Sequence, residues 1–198
     1  PPSSNAKPLF RVQLNSDTRT IQPGDFFVPL KGAQFDGHNY LAKALQQGAA
    51  GALVSAERYE QTHDWQTLPN LLLVPDPLEA YLSLARFHRR RCSAKVLALT
   101  GSSVKTTVKD MLFQAISPLV KTQRSEKNHN NEIGLCQTLL SLQPDTEILI
   151  VEMAMRGMRQ IAQLTHYGEP DIALITNVGP AHIGLLGSLE NIAKAKCE

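Results

Sequence analysis

Apolar and polar residues alternate along the second half of the chain in blocks that fit strands and helices in turn. An apolar run that starts at Val96 ends in a small-residue turn after Thr100, and a helical period follows. The predicted elements are strands at 96–100, 146–151 and 171–178, and helices at 108–116, 133–142, 158–167 and 189–196. We expect the two later strands to be buried, the first of them ending at Glu152. This order predicts an α/β domain with an open parallel sheet and flanking helices.

The first part of the chain predicts a smaller α/β domain. Pro23-Gly24-Asp25 signals a turn before a short strand, and Gly48 closes a helix that starts near Tyr40. Pro75-Asp76-Pro77 breaks the chain, so we place an N-terminal domain at residues 8–77 and a second domain at residues 78–198. The remaining predicted elements are strands at 26–30, 49–54 and 71–74, a loop with one turn of helix at 59–70, and a helix from Leu78 to about Arg91.

The turn after the strand at 96–100 has the layout of a phosphate-binding loop. Its sequence is Thr100-Gly101-Ser102-Ser103-Val104-Lys105-Thr106-Thr107, and a helix follows. In such a loop the backbone N–H groups and the helix N-terminus attract phosphate, the lysine reaches the terminal phosphates, and the hydroxyl can ligate Mg²⁺. Taken alone, Lys105-Thr106 also fits a solvated helix start. Together with the strand and turn, it favours nucleotide binding.

Val104 departs from the phosphate-loop pattern. A glycine normally precedes the lysine, because the backbone there takes a positive φ and lies close to phosphate. A β-branched residue with positive φ costs on the order of 1–2 kcal/mol or more. If all of that cost fell on nucleotide binding, affinity would drop by roughly tenfold. The spacing G-x-x-x-x-G-K also fails, since Leu99 occupies the first glycine position.

Polar side chains follow three predicted strands. They are the loop Gly101–Thr107, Glu152, and the pair Asn177 and His182. Ligands of an open α/β sheet bind beyond the carboxyl ends of its strands, so these groups should share one edge. Glu152 alone fits a solvated strand end and His182 alone fits a loop residue. Beside a phosphate loop, the carboxylate is where Mg²⁺ is expected.

The composition narrows the function classes. With 198 residues, 42% hydrophobic residues and a net charge of +2, the chain is typical of a globular protein and does not favour nucleic acid as a partner. The basic run Arg89-Arg90-Arg91 is expected to mark a solvated helix end. Three scattered cysteines form no disulfide or metal framework and suit a reducing compartment. No apolar segment has membrane-spanning length. We therefore expect a cytoplasmic monomer with no membrane partner.

Six motifs in order along the chain resemble those of the Mur ligases, the ATP-dependent amide-forming enzymes of peptidoglycan synthesis. The shortened loop Thr100-Gly101-Ser102-Ser103-x-Lys105-Thr106 carries the resemblance first. The others are Ser16–Arg19 with Pro23–Val28, Leu30-Lys31-Gly32 with Phe35–His38, Asn128-x-Asn130-Asn131-x-Ile133-Gly134, Val151-Glu152-Met153, and Asn177-Val178-x-x-Ala181-His182 with Ser188–Glu198. In this shortened loop the first glycine is Gly101, so Leu99 is no departure.

The resemblance implies a reaction and a set of roles. It is closest to the branch that joins D-alanyl-D-alanine to a UDP-muramoyl tripeptide through an acyl phosphate, with ATP and Mg²⁺. Catalytic roles would fall to Lys105, His182 and Lys196, the last matching a lysine that is carbamylated in relatives. ATP would be bound by Gly101, Ser102, Ser103, Val104, Lys105, Thr106 and Thr107, and metal by Thr106, Glu152, His182 and Lys196. The UDP-sugar substrate would meet Asp17, Thr18, Arg19, Lys31, Phe35, Asp36, Asn130 and Asn131.

Three hypotheses remain open. Because the chain lacks an initial Met and ends inside a helical pattern, we expect it to be a piece of a longer active ligase, inactive in ligation by itself. A non-catalytic remnant that still binds UDP-sugar is the alternative, favoured by Val104 and by Cys136, which stands where the family usually has proline. A folate- or amino-acid polyglutamate-type ligase is a third option, and the motif Phe35-Asp36-Gly37-His38 argues against it.

Overall fold

The computed structural model describes residues 13–32, 34–126 and 129–198. Residues 8–12 of the predicted first domain and Asn128 of the asparagine-rich motif lie outside them. The chain divides into two units between Tyr81 and Leu82, shortly after the break at which we placed the domain boundary. Each unit contains one four-stranded parallel sheet. The predicted α/β class is therefore confirmed.

The sheet of the first unit has its strands in sequence order. Ile21, Phe27 and Val54 belong to its hydrophobic core, together with Leu41 and Ala44 from the helix at residues 41–46. The strand predicted at 26–30 covers only Phe26–Phe27, because Pro29 has no N–H to donate to a neighbouring strand. The loop predicted at 59–70 contains a short 3₁₀ helix. The elements are β1 (Leu14–Asn15), β2 (Phe26–Phe27), a 3₁₀ helix (Gly37–Tyr40), α1 (Leu41–Gln46), β3 (Gly51–Ser55), α2 (Ala56–Glu60), a 3₁₀ helix (His63–Thr67) and β4 (Leu71–Val74).

Helix α3 (Pro77–Arg91) spans the division between the units. It starts where the sequence predicts, because proline suits the first helical position and Asp76 Oδ1 accepts the Leu78 N–H at 2.8 Å. The elements that follow are β5 (Lys95–Thr100), α4 (Lys105–Ile116), β6 (Thr122–Arg124), α5 (Glu132–Leu140), β7 (Ile148–Glu152), α6 (Gln160–Gly168), β8 (Ile172–Ile175), α7 (Ile183–Leu186) and α8 (Leu189–Lys196).

The second sheet has the strand order β6-β7-β5-β8. Its register places Leu99 beside Glu152 and Thr100 beside Ile175. Buried apolar residues of β5 and β7, such as Val96 and Ile150, form the centre of this unit. The ends of four parallel strands therefore lie along one edge, as the sequence predicts for the loop, the carboxylate and Asn177.

Three expectations for this unit are wrong. Strand β6 was not predicted, because it lies in the polar stretch 121–131 and no apolar pattern indicates a strand there. All four residues of β8 are exposed, although their apolar run predicted burial. Among the described residues β8 pairs only with β5, and burial depends on neighbours that a sequence pattern does not show. Arg89 is buried rather than solvated, because Asp171 pairs with it at 3.2 Å.

Within the described ranges, no helix combines the length and apolar character needed to cross a membrane.

Candidate functional site

The phosphate-type loop leaves β5 through a glycine that has no room for a side chain. A Cβ placed on Gly101 would lie 1.9 Å from Thr176 Oγ1, far inside any normal contact. Lys105 begins helix α4, and its Nζ donates to the carbonyl of Gly101 at 3.0 Å. The lysine is thus folded back over the loop at the positive end of the helix dipole. The order of strand, small-residue turn, lysine and helix is the one that the sequence predicts, and the role of Lys105 toward phosphate stays a prediction.

Val104 has the backbone conformation that a glycine would adopt. Its φ is 54° and its ψ is 12°, in the left-handed region, and it immediately precedes helix α4. The side chain is about half exposed. The predicted strain is therefore present, and the loop keeps its geometry despite the valine.

Asn177 fastens the loop to the end of β8. Its Oδ1 accepts the backbone N–H groups of Ser102 and Ser103, each at 3.0 Å, and its Nδ2 donates to Ser103 Oγ at 2.7 Å. Thr176 Oγ1 donates to the carbonyl of Ser103 at 2.9 Å, and Ser102 Oγ exchanges hydrogen bonds with the backbone of Gly179. The segment after β8 therefore fixes the shape of the loop.

Glu152 lies beside the loop at the end of β7, with both carboxylate oxygens engaged. Oε2 accepts the Thr106 hydroxyl at 2.9 Å, and Oε1 accepts Asn130 Nδ2 at 3.1 Å. The backbone N–H of Glu152 donates to Ser125 Oγ at 3.1 Å, which joins β6 to the group. The structure thus brings together Thr106, Glu152 and Asn130, as the motifs suggested.

Lys109 is a site residue that sequence reasoning missed. It lies three residues after Thr106 on α4, is buried, and places its Nζ 3.6 Å from Glu152 Oε2. The helical apolar pattern pointed instead to residues such as Met111, which is exposed. The sequence did contain a signal for it. Lys109 lies four residues after Lys105 in the same helix, and residues at this spacing lie on the same helix face.

Thr106 and Glu152 are chemically suited to a magnesium ion. Mg²⁺ takes oxygen ligands and is usually held by one or two protein groups together with substrate phosphates and water. A hydroxyl and a carboxylate 2.9 Å apart at the start of α4 fit that pattern. Among the residues that the structure describes, no three His, Cys, Asp or Glu side chains converge as metal ligands. His182 is exposed and has a left-handed backbone with φ 64°.

Lys196 lies at the end of α8 and is buried. Burial lowers the pKa of its ammonium group, and the positive charge of Lys105 lowers it further. Two predicted catalytic lysines therefore lie within electrostatic reach of one another. An amine with a lowered pKa is more often neutral, which is the form that reacts as a nucleophile.

An open cleft of about 630 Å³ lies between α4 and the β6 segment. Thr106, Lys109, Asp110 and Arg124 are among the residues that line it. Arg124 and Asp110 are joined by an ion pair of 2.7 Å. The guanidinium of Arg124 also lies 4.4 Å from the centre of the Phe113 ring. Charged and polar side chains of α4 and of the β6 segment therefore line this cleft.

Asn131 has a structural contact of its own. Its Oδ1 accepts the N–H of Gly134 at 2.9 Å and caps helix α5. This cap places Asn130 beside Glu152.

Thr107 is exposed in the first turn of α4. The predicted role of Asn131 toward substrate and that of Thr107 toward ATP stay predictions.

The predicted UDP-sugar residues lie after the strands of the first sheet. Asp17 follows β1 and is paired with Arg19 at 2.6 Å, and Thr18 lies between them in the turn. Hydrogen bonds from Arg19 hold the pKa of Asp17 below its usual value. The Arg19 side chain is largely exposed. A guanidinium is a strong donor to anions. The role of these residues toward a UDP-sugar stays a prediction.

The second group of these residues follows β2. The backbones of Lys31 and Asp36 form an isolated antiparallel β-bridge that closes the loop. Phe35, which lies between them, is exposed. Burial raises the pKa of Asp36, but hydrogen bonds from His38 and the charge of Arg58 outweigh it and lower the pKa overall. His38 Nδ1 lies 2.7 Å from Asp36 Oδ1, and Nε2 accepts the Ser55 N–H at 3.1 Å. These contacts fix the loop to the end of β3.

The fold and the loop define an α/β protein with a phosphate-type loop at the edge of a parallel sheet. Residues 99–198 match the Mur ligase middle domain, and residues 13–87 match the Mur ligase family catalytic domain. The chain belongs to the Mur ligase family.

Curated and solved relatives agree with this assignment. The chain is 45% identical over 190 residues to the UDP-N-acetylmuramoyl-tripeptide--D-alanyl-D-alanine ligase of Synechocystis sp., covering 94% of this chain and 41% of the relative. The MurF ligase from Thermotoga maritima in complex with ADP matches with a TM-score of 0.84 and 32% identity, covering 96% of this chain and 43% of that one. MurF from Acinetobacter baumannii matches with a TM-score of 0.82 and 31% identity, over 93% and 39% of the two chains. The chain thus spans about two fifths of the length of the curated relatives it matches.

Proposed function

We propose that the chain is the UDP-sugar-binding and ATP-binding part of a ligase that adds D-alanyl-D-alanine to a UDP-N-acetylmuramoyl tripeptide. One observation carries the proposal. The Thr106 hydroxyl, next to Lys105 at the start of α4, lies 2.9 Å from the buried carboxylate of Glu152. This is an oxygen site for Mg²⁺ beside a phosphate loop, in a chain whose relatives carry that activity in their names.

The reaction has two steps. The terminal carboxylate of the tripeptide attacks the γ-phosphorus of ATP, so that a C–O–P bond forms and ADP leaves. The amine of D-alanyl-D-alanine then attacks the acyl carbon, an amide bond forms, a proton is lost and inorganic phosphate leaves. Phosphoryl transfer of this kind depends on positioning and on stabilisation of charge.

The chain's own groups supply that positioning. Lys105 and the backbone N–H groups at the start of α4 hold the β- and γ-phosphates, and Gly101 and Asn177 keep the loop in shape. Thr106 and Glu152 hold Mg²⁺, which neutralises phosphate charge when it is bound. We assign supporting roles to His182 and Lys196 at the same edge. We expect the protein to act as a monomer in the cytoplasm, where its three free cysteines stay reduced.

Calorimetric titration of Mg·ATP into the chain tests the proposal. The wild-type chain should bind, Lys105→Met should lose binding, and the exposed Lys194→Met should match the wild type as a charge control. No binding by the wild type under conditions where the protein is folded would contradict the proposal. The product of the whole open reading frame should release phosphate from ATP only when both the tripeptide and D-alanyl-D-alanine are present.

A second candidate is a non-catalytic binding module, and the strained Val104 favours it. Under this alternative the wild-type chain binds UDP-N-acetylmuramoyl tripeptide but not Mg·ATP, and Val104→Gly restores nucleotide binding. Comparable nucleotide affinity in the two proteins removes the argument from Val104. A gain of roughly tenfold or more in Val104→Gly is the size expected if the whole strain falls on binding.

A further inference from the structure

Lys109 is a buried cation with a carboxylate for a neighbour. Its side chain is 2% exposed and that of Glu152 is 3% exposed, so both charges lie out of solvent. A buried charge is costly unless an opposite charge is close by. Each of the two residues therefore supplies an opposite charge to the other.

The geometry of the pair leaves the carboxylate available for other contacts. The distance of 3.6 Å from Lys109 Nζ to Glu152 Oε2 is that of an ion pair and is longer than a good hydrogen bond. The same oxygen accepts the Thr106 hydroxyl at 2.9 Å, and the other oxygen accepts Asn130. Lys109 thus acts on Glu152 through its charge, while Thr106 and Asn130 orient it.

The charges around the site decide what it attracts. Three carboxylates, Glu152, Asp110 and Glu126, lie at the site or line the cleft beside it. Lys109, Arg124 and Lys105, which begins the same helix, contribute three positive charges. A divalent cation that arrives alone meets no net negative charge. A polyphosphate brings several negative charges, and with it present the cation gains both the phosphate oxygens and Glu152.

We propose that Lys109 is a positioning residue that makes divalent-cation binding at Glu152 depend on bound nucleotide. The proposal rests on the proposed function, because it takes Thr106 and Glu152 as the metal ligands. Lys109 holds the Glu152 carboxylate in place and at the same time suppresses cation binding to the empty site. The metal then enters with ATP rather than before it.

Titration with Mn²⁺ alone, followed by the loss of the free-ion signal in electron paramagnetic resonance, tests the proposal without any turnover. Lys109→Met keeps the length of the side chain and removes its charge. It should bind Mn²⁺ about tenfold or more tightly than the wild type without nucleotide, since a unit charge close to a dication is removed. Lys109→Arg keeps the charge and should bind as weakly as the wild type. The double variant Lys109→Met with Glu152→Gln should lose the gain, which assigns it to this carboxylate.

Each outcome decides one question. Unchanged or weaker Mn²⁺ binding by folded Lys109→Met overturns the proposal, because a merely structural lysine would not suppress metal binding. If that variant does not fold, Mn²⁺ binding by the wild type without nucleotide still tests the proposal. Tight binding that is lost in Glu152→Gln overturns the proposal, and weak binding supports it. A wild-type chain that binds no ADP even with Mn²⁺ contradicts the proposed function instead, and leaves the comparison of the Lys109 variants valid.

Discussion

Two hydrogen bonds join Asn177 and Ser103. The N–H of Ser103 donates to Asn177 Oδ1 at 3.0 Å, and Asn177 Nδ2 donates to Ser103 Oγ at 2.7 Å. Residues 74 positions apart in the sequence are thereby held together at the mouth of the phosphate loop. The amide is suited to this, because it offers a donor and an acceptor from one side chain.

Asn177→Ala should therefore weaken both the fold and the nucleotide site. We expect a loss of roughly 1–3 kcal/mol in the free energy of unfolding, because the Ser103 N–H loses its acceptor and the Ser102 N–H keeps only the backbone carbonyl of residue 177. We also expect weaker ADP binding by calorimetry. Ser103→Ala removes only one partner and should cost about 1 kcal/mol or less. The double variant should cost less than the sum of the two single variants, and strict additivity would show that the contact contributes nothing.

Gly101 cannot accept a methyl group. Because its Cβ would lie 1.9 Å from Thr176 Oγ1, Gly101→Ala must push the loop away from β8. We expect a cost of about 1–3 kcal/mol by urea unfolding, as for other overpacked sites, together with loss of ADP binding. Gly157→Ala is the matched control, because its Cβ would meet nothing within 4 Å. Adding Thr176→Ala to Gly101→Ala should restore part of the stability, and no recovery would argue against this steric cause.

Val104→Gly should stabilise the protein. Relief of the left-handed conformation is worth about 1–2 kcal/mol, and the greater freedom of glycine in the unfolded chain offsets about 0.5–1 kcal/mol of it. We expect a net gain of roughly 0.5–1 kcal/mol, measured as a higher urea midpoint with an unchanged slope. Val104→Asn tolerates the same conformation and should also gain, whereas Val104→Ile should not. A destabilised glycine variant would show that the valine makes compensating contacts.

Glu169 should make stability depend on pH at the acid end. Hydrogen bonds from Arg90 and then Arg86 lower the pKa of this carboxyl from 4.5 to about 2. Because the folded pKa lies below the unfolded one, the contribution is complete above pH 4.5 and is lost as the pH falls toward 2. Glu169→Gln should cost about 1 kcal/mol at neutral pH, since the pair is partly exposed.

The pH dependence of the difference between wild type and Glu169→Gln is the sharper measurement. It should shrink below pH 4.5 and nearly vanish near pH 2 in chemical unfolding. Glu190→Gln provides the control, because Glu190 pairs with Lys194 on an exposed helix face and should contribute little at any pH. A difference that stays constant across the acid range would refute the assignment to the Glu169 charge.

Sequence reasoning located the loop between β5 and α4, the strand that ends at Glu152, and the start of α3 after the break at Pro75-Asp76-Pro77, because each depends on neighbours in the chain. It missed Lys109, Arg89 and strand β6, whose environments are set by residues far away in the sequence. Lys109 looks like an exposed helical lysine until β7 is placed beside it. Strand β8 shows the converse, since its apolar residues predicted a burial that the described neighbours do not provide.

The exposed position of Val104 has an evolutionary consequence. Its side chain is about half exposed, so the penalty comes mainly from the left-handed backbone. A loss of stability of this kind can be offset by an unrelated stabilising substitution elsewhere in the molecule. Glycine at this position can therefore drift to other residues in a lineage with a margin of stability, while the dihedral angles that hold the loop are inherited unchanged.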